Sequence, residues 1–173
     1  MSVGYRFQAS AFTLGNRVEV RRALSGDADL LTHIAFAAKR YWGYPERWIR
    51  HWSKSLTITP EFVRDNEVYA VVSGGQPFGF YALTGTGGEL ELEHLWVLPA
   101  WIGSGAGHLL FEHAMQTAAS RGVNSVEIEA DPNAEGFYLR MGACRVGENV
   151  YDIEGHRRAL PRMLVELSKP AEE

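Results

Sequence analysis

The first third of the chain has hydrophobic positions with the periods of a strand and then of helices. Residues Val18–Arg21 alternate as a first strand, and Ser25–Asp27 supply a helix-start signal. The apolar residues that follow share one helical face: Leu30, Leu31, Ile34, Ala35 and Ala38. Gly43 and Pro45 interrupt this helix. Two shorter helices are predicted next, at Glu46–Trp52 and from Thr59–Pro60 onward.

From Glu67 the pattern changes to closely spaced strands with two intervening helices. The predicted strands are Glu67–Ser73, Phe78–Leu83, Glu89–Leu98, Ser125–Ala130, Ala143–Tyr151 and Arg162–Leu167, and the helices are Gly105–Arg121 and Ala134–Met141. This order of elements predicts a mixed α/β fold. We expect one domain over residues 17–169, preceded by a loosely ordered extension over residues 1–16.

Composition narrows the functional classes without identifying one. The 173 residues carry a net charge of −4, with no run of like charges, which argues against a nucleic-acid partner. The first 17 residues lack an apolar stretch long enough for a signal-peptide core, and nowhere do about 18 consecutive apolar residues occur. Neither a secretory leader nor a membrane span is therefore predicted, and a cytoplasmic location is expected. The single cysteine, Cys144, is interpreted as a buried structural thiol.

A strand that runs into a glycine-rich turn and a helix is the most informative segment, Leu90–Gly107. Such a turn exposes backbone N–H groups at the positive end of a helix and leaves room for a phosphate. The alternative is a connector whose glycines serve tight packing. A Walker loop is excluded because no Gly-Lys-Ser/Thr follows, and His108 stands where a Rossmann fingerprint needs glycine.

A second motif lies downstream, in Glu129–Ala143, and contains Asn133 and the pair Phe137-Tyr138. The two motifs, separated by one helix and one strand, resemble those of the GNAT superfamily of N-acetyltransferases. The resemblance spans about residues 67–143. It implies the GNAT fold, a mostly antiparallel mixed sheet flanked by helices and splayed between strands 4 and 5, where acetyl-CoA inserts its pantetheine arm.

The resemblance also implies which residues hold acetyl-CoA. The expected cofactor-binding residues are Leu95, Trp96 and Val97 beside the pantetheine and acetyl group; Ile102, Gly103, Ser104, Gly105, Ala106 and Gly107 at the pyrophosphate; and Asp131, Asn133, Phe137 and Tyr138 on the other side. The N–H of Val97 would polarise the thioester carbonyl. Ile102 replaces the Arg or Gln usual in the family, so backbone amides and Arg140 would carry more of the phosphate recognition. Asp131 replaces the usual Asn.

An alkylammonium acceptor must lose a proton before it attacks a thioester, so a base is expected. Glu91 and Glu93 lie two apart on the long strand and, if no bulge intervenes, share a face with Leu95 and Val97. The resemblance places Glu91 at a position used as base in some superfamily members, whereas Glu93 lies nearer Val97 and is preferred for that reason. Alternatively, both carboxylates belong to a solvated strand face or a water serves as base. Alternation points His94 to the opposite face.

The departing CoA thiolate needs a proton, and Tyr138 occupies the matching position in the second motif. The alternative for Tyr138 is a packing role. No metal site is expected, because His108 and His113 are five residues apart and face different directions on a helix. No base is evident beside Cys144 for a covalent route, so direct attack in a ternary complex is favoured.

The acceptor is expected on the side of the N-terminal helices. Trp42, Tyr44 and Trp48 could wall its pocket; alternatively they cap the core or bury a homodimer interface. A small amine or amino-acid-like metabolite is the first hypothesis and a protein N-terminus or lysine the second. A noncatalytic CoA-binding sensor is a third, from a different functional class.

Overall fold

The computed structural model describes residues 18–167, so the predicted extension over residues 1–16 lies outside the described residues. The strands are β1 (Val18–Arg22), β2 (Glu67–Ser73), β3 (Gln76–Thr84), β4 (Leu90–Val97), β5 (Ser125–Glu129), β6 (Cys144–Ile153) and β7 (His156–Glu166). The α-helices are α1 (Ala28–Tyr41), α2 (Glu46–His51), α3 (Ser53–Leu56), α4 (Pro60–Asp65), α5 (Ala106–Ser120) and α6 (Glu135–Arg140). Within this range, no helix has the length and apolar character needed to cross a bilayer.

One sheet organises the described chain, with strand order β1-β2-β3-β4-β5-β7-β6. Neighbouring strands are antiparallel except β4 and β5, which are parallel. Helices cover both faces, and each face has its own hydrophobic core. The core under α1 includes Leu31, Ile34, Val68 and Phe80, and the core under α5 includes Tyr81, Leu110, Ala114, Val126 and Met163. The predicted mixed α/β fold is confirmed.

The sheet opens at its only parallel pair among the described strands. The two strands β4 and β5 pair at Leu90↔Val126 and Glu91↔Glu127, and no pairing continues beyond Glu91. Six residues of β4, from Leu92 to Val97, therefore extend past the last pair. The expected splay between the fourth and fifth strands is present, and it leaves one edge of β4 unpaired in the middle of the sheet.

A bulge interrupts β4 just after the splay begins. Ala82 pairs with His94, but the next residue of β3, Leu83, pairs with Leu92. Glu93 is therefore an extra residue without a partner on β3. Such an insertion changes which side chains share a face.

The shared-face prediction for Glu91 and Glu93 is conditional on an unbulged strand, and the bulge removes that condition. Leu92 packs in the α5 core together with Leu95 and Val97, whereas His94 contacts aromatic rings on the α1 side. Glu91, next to Leu92, therefore lies on the face opposite Leu95 and Val97, not on the shared face expected from strict alternation. That places its carboxylate on the side of the N-terminal helices.

The C-terminal hairpin is longer than its sequence pattern indicated. Predicted strands Ala143–Tyr151 and Arg162–Leu167 extend to a two-residue turn at Glu154 and Gly155, both with positive φ, 53° and 80°. This is the backbone conformation of a tight hairpin turn. Cys144 begins β6, the edge strand, and is exposed, so its interpretation as a buried thiol is wrong.

The close approach of β3 to β4 requires a glycine at position 79. A Cβ atom there would lie 2.9 Å from the carbonyl oxygen of Trp96 and 3.0 Å from Val71 Cγ1. We predict that Gly79→Ala lowers the free energy of unfolding by about 1–3 kcal/mol, because backbone must shift. Gly26→Ala is the matched control, since a Cβ at Gly26 meets no atom within 4 Å. Chemical denaturation that gave both variants the same stability would contradict the packing described for β3 and β4.

Candidate functional site

A cavity of about 1100 Å³ opens where β4 and β5 separate. It is lined by β4, the glycine-rich loop, the start of α5 and the segment around α6. The predicted site residues that line it are Trp42, Glu91, Glu93, Leu95, Trp96, Val97, Ile102, Gly103, Gly105, Gly107, Asp131, Asn133, Phe137, Tyr138 and Arg140. Four predicted residues are not among the lining residues: Tyr44, Trp48, Ser104 and Ala106. The structure thus brings both sequence motifs to one cavity.

The unpaired edge of β4 directs backbone groups into this cavity. The N–H of Leu98 donates to the carbonyl of Phe78 (2.8 Å), so this pair is hydrogen-bonded. Because bonded and non-bonded pairs alternate along antiparallel strands, Trp96 also faces β3, while the N–H and C=O groups of Leu95 and Val97 point away from it. Those groups face the gap between β4 and β5, where an extended ligand could pair with them.

A second set of free donors lies at the start of α5. Gly105, with a φ of 92°, precedes this 15-residue helix, whose first turn contains no acidic residue. The hydroxyl of Ser104 accepts from the N–H of Ala106 (3.3 Å). Among the described residues, the N–H groups of Gly107 and His108 have no acceptor. These amides and the helix dipole favour an anion.

Ile102 introduces this loop and changes its donor set. Its side chain is 45% exposed and lines the cavity, but it offers no hydrogen bond. Arg140 and His108 also line the cavity and do carry donors. His108 was not identified from the sequence as a candidate site residue. An anion here would be held by backbone amides together with side chains of α5 and α6.

Tyr138 lies at the cavity wall with its ring packed against Phe137 and Phe111, at centroid distances of 5.3 and 6.2 Å. The side chain is 94% buried, yet its hydroxyl has no hydrogen-bond partner between residues 18 and 167. Burial, and then the charge of Asp131, raises the pKa of Tyr138 above its ordinary value. The phenol is therefore protonated at neutral pH and available to a ligand atom.

Carboxylates line the cavity on the α1 side of the sheet. Burial raises the pKa of Glu91, and the charges of Glu93 and Glu129 add to the effect. Glu129 accepts hydrogen bonds from the hydroxyl of Tyr151 (2.7 Å) and from Asn149. The carboxylate of Glu91 accepts none within the described part of the chain. Glu91 is thus the carboxylate whose oxygens are available and whose proton affinity is increased.

His94 is not suited to act as the base. Its Nδ1 accepts a hydrogen bond from Trp96 Nε1 (2.9 Å), and its Nε2 lies 3.8 Å from Glu93 Oε1. Burial lowers the pKa of His94 to about 4. The ring is neutral at physiological pH, and the one nitrogen able to take a proton is already occupied.

An ion cluster forms the remaining wall. Asp131 accepts from Lys39 Nζ (2.7 Å), from the hydroxyl of Tyr44 (2.9 Å), from Arg158 Nη2 (3.1 Å) and from Asn133 Nδ2 (2.9 Å). Burial disfavours the charge of Asp131, but the charge and hydrogen bond of Lys39 outweigh burial, so the pKa of Asp131 is lowered. The cofactor-binding role expected for Asp131 and Asn133 stays a prediction, while their side chains are already partnered within the protein.

Aromatic rings enclose the two cations of this cluster. Lys39 Nζ lies 4.2 Å from the ring centroid of Trp52, and the Arg158 guanidinium carbon lies 4.9 Å from it. Both cations also lie over the ring of Tyr44, at 4.9 and 4.6 Å. Tyr44 stacks in turn on Trp48, with centroids 6.2 Å apart. Two of the three predicted acceptor-side aromatics therefore support the cluster, and Trp52 lines the cavity itself.

Sequence reasoning missed Lys39, Trp52 and Arg158. A signal existed for Lys39, which is four residues after Ala35 and continues the apolar stripe of α1. A lysine at such a position is unusual unless it is paired. Arg158 gave no signal, because it lies in the part of the C-terminal hairpin that the strand pattern did not cover.

The family model described as "Acetyltransferase (GNAT) domain" matches residues 28–154, well over half of the chain. A comparison with curated protein sequences gave no significant match.

Solved structures with the same fold include three acetyltransferases. A GCN5-related N-acetyltransferase from Rhodopseudomonas palustris has 21% identity and a TM-score of 0.74, covering 91% of this chain and 100% of that one. The PaiA N-acetyltransferase of Thermoplasma acidophilum, in complex with coenzyme A, has 19% identity and a TM-score of 0.67, covering 87% and 99%. YncA, a putative acetyltransferase from Salmonella typhimurium with acetyl-CoA, has 16% identity and a TM-score of 0.65, covering 91% and 98%. With the match of the family model, the chain belongs to the GNAT family of acetyltransferases.

Proposed function

We propose that this protein transfers an acetyl group from acetyl-CoA to the primary amine of a small acceptor, by direct attack in a ternary complex. The observation that carries the proposal is a pair of unpaired backbone donor sets at one cavity, the first at the open edge of β4 and the second in the first turn of α5. This arrangement matches a ligand with an extended amide-containing arm followed by a pyrophosphate. The two relatives bound to coenzyme A or acetyl-CoA support the same ligand here.

The donor substrate fits the cavity in one direction. The backbone groups of Leu95 and Val97 would pair with the pantetheine amides, as a neighbouring strand would. The amides of Gly105, Gly107 and His108 would take the pyrophosphate at the positive end of α5. The thioester would then lie near Val97, whose N–H stabilises negative charge on the carbonyl oxygen as the carbon becomes tetrahedral.

The reaction forms one C–N bond and breaks one C–S bond. A deprotonated amine attacks the thioester carbon, and the tetrahedral intermediate collapses with release of the CoA thiolate. The thiolate receives the proton of the Tyr138 hydroxyl, which burial keeps on the phenol until the negative sulfur develops. The proton lost by the amine goes to a carboxylate or to a water held by one.

Glu91 is the base that the structure supports best. Sequence alone preferred Glu93, but the bulge makes Glu93 the unpaired residue of β4 and leaves Glu91 on the α1 face. There the carboxylate of Glu91 is partly buried near three other negative charges, which raises its pKa towards the operating pH. Its position on that face requires an acceptor that enters from the side of the N-terminal helices.

The role of Tyr138 predicts a loss of turnover without a loss of stability. Tyr138→Phe should lower kcat by about 10²-fold while preserving the ring and its packing. Turnover is measured as CoA thiol released from acetyl-CoA only when an amine is present. Tyr81→Phe is the matched control, because the buried hydroxyl of Tyr81 bonds His113 and Thr117, both at 2.9 Å. It should cost about 1–3 kcal/mol of unfolding free energy and leave kcat unchanged.

Unchanged kcat in Tyr138→Phe would show that another group protonates the thiolate. If the parent protein binds acetyl-CoA but no amine elicits thiol release, a noncatalytic CoA-binding domain replaces the proposed function. If peptides with free N-termini are acetylated and small amines are not, the acceptor class is wrong while the transfer chemistry stands.

The raised pKa of Glu91 predicts the acid limb of the pH profile. The base works deprotonated, so kcat/KM should fall as pH decreases through the Glu91 pKa. Glu91→Gln should lose about 10²-fold in kcat/KM at neutral pH and lose that limb. Glu89→Gln is the control, because Glu89 lies two residues before Glu91 but neither lines the cavity nor contributes to the raised pKa of Glu91. If Glu91→Gln keeps the pH profile of the parent protein, Glu93 or a water is the base and Glu91 is not.

A further inference from the structure

The cluster around Asp131 holds more positive than negative charge. The side chains of Lys39, Asp131 and Arg158 are 11%, 8% and 10% exposed, and two cations share the one carboxylate. No other carboxylate contacts either cation within residues 18–167. Keeping an uncompensated cation out of water is costly unless a further anion pairs with it. Burial, together with the charge of Arg158, lowers the pKa of Lys39 against the opposing effect of Asp131. The cluster therefore lacks the second negative charge that would stabilise both cations.

An anion could bind at Arg158, whose guanidinium has donors that no described protein group uses. Only Nη2 of its guanidinium bonds protein groups, to Tyr44 and Asp131. The other two nitrogens, Nε and Nη1, bond no group of residues 18–167, and neither is fully buried. In the described chain, Trp48 Nε1 is the one fully buried side-chain nitrogen or oxygen without a hydrogen-bond partner. Nε and Nη1 of Arg158 are therefore accessible to a ligand. Arg158 and Lys39 both line the cavity that contains the proposed reaction site. Guanidinium groups bind planar carboxylates through paired N–H donors.

The rest of the cluster is arranged to hold these cations in place. Asp131 fixes both of them, and Trp52 and Tyr44 lie against their faces at 4.2 to 4.9 Å. These rings restrict water around the charges, which strengthens their attraction for an anion. If the cluster only stabilised the packing of α1 and β7, one cation would be enough to neutralise the one carboxylate. A purely structural role therefore does not explain the second cation.

The position of the cluster relative to the proposed base fits a compact zwitterion. Asp131 follows Glu129 by two residues, so a carboxylate and the cluster are neighbours along the chain. Glu129 and Glu91 lie on the face of the sheet opposite α5, and both line the same cavity as Lys39 and Arg158. An α-amino acid has its two opposite charges on one carbon, which suits a cavity lined by both carboxylates and cations. Its ammonium would lie at the carboxylates and its carboxylate at the cations.

We infer that the acetyl acceptor carries a carboxylate beside its amine, and that Arg158 with Lys39 binds this carboxylate. Asp131 and Tyr44 are positioning residues that hold the two cations. The inference rests on the proposed function, since it concerns the second substrate of the same site. It narrows the acceptor from any small amine to amino acids and similar amino-carboxylates.

The test compares each common L-amino acid with its own carboxamide. The amide keeps the amine and the side chain but removes the negative charge. Calorimetry on the CoA-saturated protein gives affinity, and thiol release from acetyl-CoA gives kcat/KM. We expect at least one amino acid to exceed its amide by about tenfold or more in both measurements, as expected for loss of a charge-assisted hydrogen bond.

Variants assign that preference to the cluster. Arg158→Gln should lower the affinity for the amino acid about tenfold and so remove most of its preference over the amide. The affinities for the amide and for acetyl-CoA should stay near the parent values. Arg158→Lys keeps the charge and should restore part of the preference. Arg157→Gln is the matched control, because Arg157 is the adjacent residue of β7 but does not line the cavity. Melting temperatures show whether each variant is folded.

The outcomes separate the two proposals. Turnover with equal preference for acids and amides overturns the carboxylate site and leaves the transferase proposal intact. Selective binding of amino acids without thiol release supports the carboxylate site and contradicts the transferase. If Arg158→Gln lowers the affinity for acetyl-CoA as much as the affinity for the amino acid, the two cations bind acetyl-CoA and the inference is wrong. If Arg158→Gln does not fold, the acid-to-amide comparison in the parent and in Arg158→Lys decides.

Discussion

The separation of β4 from β5 is the constraint on which the site depends. Two residue pairs join the strands, and the next six residues of β4 have no neighbour on that side. Buried backbone donors and acceptors without partners are costly, so a protein keeps such an edge only where a ligand or water can satisfy it. The helices that cover the sheet stabilise this opening from both faces, because each face has its own hydrophobic core. The rigid sheet thus presents the backbone of Leu95 and Val97 in a fixed geometry.

In the proposed reaction, the bulge at Glu93 keeps the two substrates on different faces of β4. Before the bulge, Glu91 faces the N-terminal helices, and after it Leu95 and Val97 pack toward α5. Strict alternation would have put Glu91 on the same face as Leu95 and Val97. With the bulge, the proposed acceptor would reach the thioester from the α1 side while the pantetheine would lie along the β4 edge. The charged cluster on Asp131 lies on the side proposed for the acceptor, since α1 contributes Lys39.

The sequence predicted those site residues that lie within short continuous motifs, and it missed those that meet only in the folded structure. The glycine-rich loop and Tyr138 lie in continuous motifs, so the resemblance of both motifs to the GNAT superfamily predicted their place at one site. The face of Glu91 depended on a one-residue bulge that hydrophobic alternation does not show. Arg158 meets Asp131 only because the β6–β7 hairpin extends to the turn at Glu154, and that contact joins residues far apart in the chain. Signals of this kind require the tertiary structure.

The central claim is that acetyl-CoA pairs with the open edge of β4. Residue-resolved amide hydrogen exchange, with and without acetyl-CoA, tests it most directly. The amide of Leu98 already bonds Phe78 and should exchange slowly in both states. In the free protein, rapid exchange is expected at four amides, those of Leu95, Val97, Gly107 and His108. Their exchange should slow markedly when acetyl-CoA is bound. Acetyl-CoA that leaves exchange at Leu95 and Val97 unchanged would contradict the account.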